Sequence, residues 1–247
     1  MPALHSLSVK IFADGADLDS IMKRAQDPLI KGFTTNPTLM RKAGVSDYEA
    51  FARKLLRAIP DRPISFEVFA DDFGEMAYQA RTIASWGDNV YVKIPVTSTR
   101  GEFAGPLIER LTAEGVAINV TAILSLDQVR RVIPHLALAT PCIVSVFAGR
   151  VADTGVDPVP LMAEAVRVLR ERPNAELLWA SPREVLNVFH AEAAECHIIT
   201  ATDDILDKLP LVGRDLEAYS LETVRMFHRD AAAAGYGIAV PKRAATG

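Results

Sequence analysis

Short apolar runs of strand length alternate along the chain with stretches whose apolar residues recur every three or four positions. Val9–Ala13, Gly32–Thr35, Ile64–Phe69, Val90–Pro95, Ala117–Thr121, Cys142–Phe147, Leu177–Ala180 and His197–Thr200 read as strands. Leu18–Gln26, Asp47–Ala58, Gly74–Ser85, Glu102–Glu114, Leu126–His135, Pro158–Arg170, Pro182–Ala191 and Ile205–Leu209 read as helices between and after them. Gly115 ends the helix before the fifth strand, and Pro134 breaks the helix before the sixth. Strand followed by helix, repeated, implies parallel strands joined by helical crossovers. About eight such units in 247 residues predict an α/β fold, a single (β/α)8 TIM barrel spanning 1–247. A doubly wound open sheet is the alternative. It usually has fewer strands, and no G-x-G-x-x-G follows the first strand here.

A further helix over Tyr219–Ala234 follows the eighth unit, with an apolar stripe of Leu221, Val224, Met226 and Phe227. Closing a barrel does not require it. It either caps the barrel or packs on a neighbouring subunit, so a homo-oligomer is expected.

Composition narrows the class. The chain is 49% hydrophobic and 23% charged, the balance of a soluble globular protein. A formal net charge of -4 and a pI near 5.8 advertise no basic face for nucleic acid. Lys242-Arg243 is a short basic pair in a small-residue tail. The apolar runs fall far short of the ~20 residues that span a bilayer. Met1 to Ser8 show no signal-peptide pattern. Cys142 and Cys196 lie in apolar strand-like segments and fit buried thiols in a reducing cytoplasm better than a disulfide framework.

One residue breaks the apolar pattern sharply. Lys93 sits inside Val90-Tyr91-Val92-Lys93-Ile94-Pro95. A lysine drawn out of water favours its neutral amine, which attacks carbonyl carbon and forms a Schiff base. The other reading is a strand-end lysine whose head reaches water or pairs with a carboxylate.

In a barrel of this kind, functional groups collect at the carboxyl ends of the strands. The strand ends here are polar almost everywhere. The first carries Asp14, the second Thr34, Thr35 and Asn36, the third Glu67 and the fourth Lys93. The fifth carries Asn119 and Thr121, two apart and so on one face. Ser145 and Arg150 follow on the sixth, Ser181 and Arg183 on the seventh, and Thr200 and Thr202 on the eighth. Lys93, Glu67 and Asp14 are expected to share one small, mostly dry site. Simpler readings stand beside this one. Asp14 could be a helix cap, in competition with Asp17 and Asp19, and Thr34 to Asn36 before Pro37 could be a turn. Thr121 could be an ordinary strand residue. Glu67 is harder to explain that way, because an unpaired buried carboxylate is costly. Arg150 and Arg183 are either surface charges or a phosphate clamp. The five histidines show no metal-ligand spacing, and neither G-x-S-x-G nor G-x-x-x-x-G-K-[ST] is present.

These residues resemble the transaldolase family. The resemblance rests on Phe12-Ala13-Asp14-Gly15-Ala16-Asp17, Gly32-Phe33-Thr34-Thr35-Asn36-Pro37-Thr38 and Val90-Tyr91-Val92-Lys93-Ile94-Pro95. It continues in Ile118-Asn119-Val120-Thr121, Val144-Ser145-Val146-Phe147-Ala148-Gly149-Arg150 and Trp179-Ala180-Ser181-Pro182-Arg183. The short chain is similar to the branch of small transaldolases and fructose-6-phosphate aldolases. The resemblance implies a class I aldol mechanism that needs no metal or other cofactor and acts on sugar phosphates. Lys93 would form the Schiff base with the ketose, and Asp14 would take the proton of its C4 hydroxyl. Glu67 and Thr121 would hold the water that moves protons. Asn36, Asn119 and Ser145, with Thr34 nearby, would bind the dihydroxyacetone hydroxyls, and Arg150, Ser181 and Arg183 the phosphate.

Two positions separate the sister activities in that family. The aldolase branch typically has Gln where this chain has Glu67 and Tyr where it has Phe147. The pattern here is similar to the transaldolases, so transfer is expected over simple cleavage. Fructose-6-phosphate aldolase activity and a non-catalytic sugar-phosphate barrel are the alternatives. Ala148 and Pro182 depart from most members, and Pro182 puts the placement of Arg183 in question.

Overall fold

The computed structural model describes residues 4–238. Eight parallel strands close into a barrel in sequence order, with the first paired to the eighth. They are β1 (Lys10–Asp14), β2 (Ile30–Thr34), β3 (Ile64–Glu67), β4 (Val90–Pro95), β5 (Ile118–Ile123), β6 (Cys142–Val146), β7 (Ala175–Trp179) and β8 (Ile198–Ala201). The helices are α1 (Leu18–Arg24), α2 (Pro37–Lys42), α3 (Tyr48–Ala58), α4 (Phe73–Ala84), α5 (Gly105–Ala113) and α6 (Leu126–Val132). They continue as α7 (Ala148–Asp153), α8 (Pro158–Leu169), α9 (Leu186–Ala193), α10 (Asp203–Leu206) and α11 (Leu216–Ala233). Every strand anticipated from the pattern is present; β4 has the expected bounds, and the others differ by at most two residues at an end.

The differences lie in the helices, and each has a local cause. α2 is a short helix with Pro37 at its first turn, capped by Asn36, whose Oδ1 accepts from Leu39 N at 2.9 Å. Six residues are too few for an apolar period to register. α7 is equally short. α5 starts at Gly105 rather than Glu102 because Thr97 and Phe103 form an antiparallel bridge first. α9 starts at Leu186 rather than Pro182, since Asn187 Oδ1 takes the N–H groups of Arg183 and Glu184 and holds them in a turn. Gly115 has a φ of 85°, as expected of a residue that ends a helix.

The barrel has two apolar layers. The larger lies between strands and helices and includes Val92, Ile94, Val120, Val144 and Trp179, all with no exposed surface. The smaller fills the inside of the barrel with Phe12, Ile143, Leu178, Ala180 and Ile198, and Tyr91 and Phe147 pack against it. The aromatic ring of Phe12 needs space inside a narrow barrel, and Gly32 on β2 supplies it. A Cβ at Gly32 would lie 2.5 Å from Phe12 Cζ.

The described chain divides into two compact units, one ending at Leu209 and one starting at Pro210. In the second, α11 is capped by Asp215, and Leu216, Leu221, Val224, Met226 and Phe227 are exposed along it. Lys242 and Arg243 lie outside the described residues. No described helix is long and apolar enough to cross a membrane.

The fit of Phe12 over Gly32 gives a measurable expectation. Gly32→Ala should destabilise the protein by about 1–3 kcal/mol, the range for overpacked interiors. Phe12→Leu in the same chain should recover part of the loss, as read from urea denaturation midpoints.

Candidate active site

Parallel pairing puts side chains of register partners on the same face of the sheet. The β3–β4 register pairs Glu67 with Lys93, and the β4–β5 register pairs Lys93 with Asn119. On β4 the alternation is visible residue by residue: Val90, Val92 and Ile94 are buried outward, while Tyr91, Lys93 and Pro95 face inward and are half-buried. The β1–β2 register adds Asp14 beside Thr34. These inward groups meet in a cavity of ≈ 480 Å³ above the Phe12 layer. Asp14, Thr34, Asn36, Glu67, Lys93, Asn119, Thr121, Ser145, Phe147, Arg150, Ser181, Thr200 and Thr202 are among its lining residues.

Lys93 Nζ donates to Glu67 Oε1 at 2.7 Å and also to the Thr35 carbonyl. The side chains of the pair are 11% and 10% exposed. The second oxygen of Glu67 accepts from Thr35 Oγ1 at 3.0 Å. Tyr48, at the start of α3, holds the backbone of Glu67: its hydroxyl accepts from Glu67 N at 2.7 Å and donates to Glu67 O at 3.2 Å. Burial pushes the Glu67 carboxyl above its ordinary value, and Lys93 only partly opposes this.

Asp14 stands apart from that pair. Its two oxygens accept from Thr34 Oγ1 at 2.7 Å and from Asn36 Nδ2 at 3.2 Å. It keeps some surface open to the cavity, but protein atoms surround it. Burial therefore pushes its carboxyl up, against the pull of Lys93 and the two hydrogen bonds. The capping task falls to Asp17, which accepts from Ser20 N, so Asp14 is not used as a helix cap. Asn36 serves twice, capping α2 with its oxygen and meeting Asp14 with its amide nitrogen.

A second chain of polar contacts crosses the floor. Ser145 Oγ donates to Asn119 Oδ1 at 2.6 Å, and Asn119 Nδ2 donates to Ser65 Oγ at 3.1 Å. Thr121 makes one long contact of 3.5 Å with the Ile94 carbonyl, which leaves its hydroxyl largely uncommitted. Just after it the β5–β6 pairing is irregular, and Ala122 has a left-handed φ of 61°. Such a bulge interrupts the ladder and re-aims the neighbouring side chains, a common device beside functional sites.

The rim is built differently. Arg150 lies over the Phe147 ring, 5.2 Å from its centroid. Gly149 fits under the Ser181 carbonyl so closely that a Cβ there would come within 1.5 Å of the oxygen. Ser181 itself has a left-handed φ of 59°. Arg183 is not among the residues that line the cavity. It pairs with Asp153 through two hydrogen bonds, one of them 2.9 Å, and the Asp153 carboxyl is held below its ordinary value by them. Of the site residues anticipated from the sequence, the fold brings all but Arg183 to one cavity. Thr200 and Thr202, polar strand ends in the same reading, line it too. Ser65 and Tyr48, which that reading leaves out, support it by bonding to Asn119 and to the Glu67 backbone, and the Thr35 backbone gains a part. Ser65 was legible as the residue two before Glu67 on the same strand face; Tyr48 opens a helix, and nothing in its surroundings in the sequence marks it.

A family model described as transaldolase/fructose-6-phosphate aldolase matches residues 11–238. The chain belongs to this family. Among similar curated proteins, a "Probable transaldolase" of Dehalococcoides mccartyi is 35% identical over 199 residues, covering 80% of this chain and 88% of that protein. A "Probable transaldolase 2" of Listeria monocytogenes is 34% identical over 215 residues, covering 85% and 94%. A "Probable transaldolase" of Methanococcus maripaludis is 35% identical, covering 85% and 95%. Solved structures similar in fold include a 2,3-dimethylmalate lyase, with a TM-score of 0.53 at 11% identity over 98% of this chain and 89% of that one. A mandelate oxidase mutant has a TM-score of 0.54 at 15% identity, covering 94% and 80%. At such identities these two speak for the barrel alone.

The buried carboxyl of this transaldolase/aldolase family member has a consequence for stability. Folding disfavours ionised Asp14, so its contribution turns unfavourable as pH rises from the ordinary value of 3.8 through the raised one. An amide avoids that cost and keeps both contacts. It can accept from Asn36 and donate to Thr34, whose own proton then turns to Thr200, 2.6 Å away. Asp14→Asn should therefore raise Tm at neutral pH by about 2–4 °C, the response of a chain this size to ~1 kcal/mol. The gain should vanish as pH falls toward 3.8 in thermal melts across pH.

Proposed function

We propose that this protein is a transaldolase that carries a dihydroxyacetone unit from a ketose phosphate to an aldose phosphate on Lys93. The observation that carries this reading is Lys93 itself: an amine lining the cavity, 2.7 Å from a buried carboxylate, with a second carboxylate, Asp14 of β1, lining the same cavity. Its neutral form attacks the C2 carbonyl of the ketose to give a carbinolamine. Loss of water leaves an iminium, which draws electrons from the adjacent carbon. Asp14 takes the proton of the C4 hydroxyl, the C3–C4 bond breaks, and its electron pair moves into the iminium as an enamine. The shortened aldose phosphate departs. The enamine adds to the carbonyl carbon of a second aldose phosphate, protonated Asp14 returns its proton to the new hydroxyl, and water releases the lengthened ketose from Lys93.

Glu67 and Thr121 are suited to handle the water. The carboxyl of Glu67 is raised by burial, so it can give a proton to the departing hydroxyl and take one back. Asn119 and Ser145 offer a polar floor for the hydroxyls of the three-carbon unit, with Asn36 and Thr34 beside Asp14. Arg150 and Ser181 at the rim are suited to a phosphate, and Arg183 joins them by exchanging the Asp153 carboxylate for the phosphate. Phe147 favours transfer over simple aldol cleavage. A phenyl ring has no proton to give the enamine carbon, so the enamine persists until an acceptor arrives.

Borohydride added with fructose 6-phosphate should leave a reduced three-carbon adduct on the peptide that contains Lys93, read by mass spectrometry. An adduct on another lysine, or none, would sink the mechanism. Transfer should need an acceptor such as erythrose 4-phosphate. Release of free dihydroxyacetone without acceptor would favour the aldolase reading instead. Phe147→Tyr should raise that acceptor-free release by about tenfold or more, since it adds a proton donor beside the enamine.

A further inference from the structure

Thr200, near the end of β8, has no part in the proposed reaction. It is 6% exposed and lines the cavity. Its hydroxyl lies 2.6 Å from Thr34 Oγ1, which donates to Asp14 Oδ1 at 2.7 Å. A hydroxyl has one proton to give. While Thr34 gives its proton to Asp14, it can meet Thr200 only as an acceptor, so Thr200 is the donor. The charge on Asp14 thus sets the direction of a hydrogen bond two side chains away.

We propose that Thr200 is a positioning residue for Asp14, acting through Thr34 as the end of a two-hydroxyl chain that reverses when the carboxyl gains a proton. The proposal rests on the reading of Asp14 as the base. With Asp14 ionised, Thr200 donates to Thr34 and Thr34 to the carboxylate, each bond strengthening the next. When the carboxyl takes up the proton of the sugar hydroxyl it becomes a donor. Thr34 then accepts from it and turns its own proton to Thr200, whose proton turns to the cavity. Both hydroxyls rotate, no proton leaves its oxygen, and no heavy atom moves. Asp14 can cycle between base and acid with a satisfied partner in either state.

The groups around Asp14 allow this effect to be read. Lys93 on β4 favours its ionised form and Glu67 on β3 opposes it. From β2 come the neutral donors Thr34 and Asn36. On the α1 side, Asp17 is used as a cap, and Asp203 of α10 is held by Ser20 and Arg24. Lys10, at the far end of β1, pairs with Glu176. None of these bonds to Thr200, so a change there reaches Asp14 through Thr34.

The test compares wild type, Thr200→Val and Thr200→Ser. Valine keeps the shape and loses the hydroxyl; serine keeps the hydroxyl. Two quantities are read: the acid limb of kcat/KM for transfer, and the titration of the Asp14 carboxyl by 13C NMR, its signal assigned with Asp14→Asn. Bonds to an ionised group are the stronger ones, so losing the Thr200 donor weakens the carboxylate more than the acid. Thr200→Val should move both the acid limb and the Asp14 midpoint upward by about 0.5–1 pH unit, with kcat falling more than KM rises. Thr200→Ser should keep wild-type values. A valine variant with an unchanged Asp14 midpoint, or a serine variant that behaves like valine, overturns the proposal and leaves Thr200 a filler of the barrel. If valine does not fold, Thr200→Cys, a weaker donor in the same place, carries the same comparison. Should wild type transfer nothing, the functional reading fails, and the carboxyl titration still decides whether Thr200 acts on Asp14.

Discussion

Lys93 can stay inside the barrel because two acceptors meet its ammonium there, one from β3 and one just past the end of β2. Glu67 lies in register with it on β3, 2.7 Å away. The Thr35 carbonyl is available through a break in the sheet. Thr35 N still bonds the Ser65 carbonyl, and the next rung of the β2–β3 ladder would run from Glu67 N to Thr35 O. Tyr48 takes the Glu67 N–H instead, so the Thr35 oxygen turns to Lys93. A buried ion pair recovers its desolvation cost only with good geometry and further hydrogen bonds. Here Thr35, Tyr48 and the β3–β4 register supply them together.

The rest of the barrel is arranged around that constraint. A polar layer cannot hold a barrel closed, so apolar packing lies below and around it. Inside, Phe12 over Gly32, with Ile143, Leu178 and Ile198, seals the floor. Outside, side chains of the same strands pointing the other way form the larger core. The site itself is unfavourable for ionised carboxylates, as the raised Asp14 and Glu67 indicate. Stability generated in the outer shell allows the floor of the cavity to remain in that state, the usual relation between a strained site and its scaffold.

The architecture was legible because a strand buried on both faces and a helix buried on one leave distinct periods in the sequence. The count of eight alternations, with no G-x-G-x-x-G after the first strand, favoured the closed barrel over a doubly wound open sheet. Lys93 and Glu67 stood out for the same reason: a charge in an apolar strand is a local contradiction. Thr34, Asn119 and Ser145 were legible by position at strand ends. Tyr48 was not, because its role depends on the path of α3 past the end of β3, a long-range contact with no local period. α2 and α7 were hidden by their length. Arg183 was legible as a charge beyond β7, but its direction depends on Asp153, thirty residues away in the chain.

The contrast between floor and rim explains how one cavity can serve two demands. If the proposed reaction holds, a phosphate binds and leaves in every cycle, so the cations that grip it need partners that give way. Arg183 and Asp153 are about half exposed, 48% and 52%, and an exposed pair of this kind is worth at most about 1 kcal/mol. Exchanging that carboxylate for a phosphate replaces one anion by another at little cost. The Lys93–Glu67 pair, 11% and 10% exposed, has no such freedom, since parting it would leave an unpaired charge in a dry site. Under the proposed reaction this division has a consequence. Attraction of the phosphate at the wet rim brings the ketose carbonyl down to an amine whose partners do not move, so the binding energy of a remote group serves the chemistry at the floor. The reacting amine stays fixed while the grip on the substrate can be released.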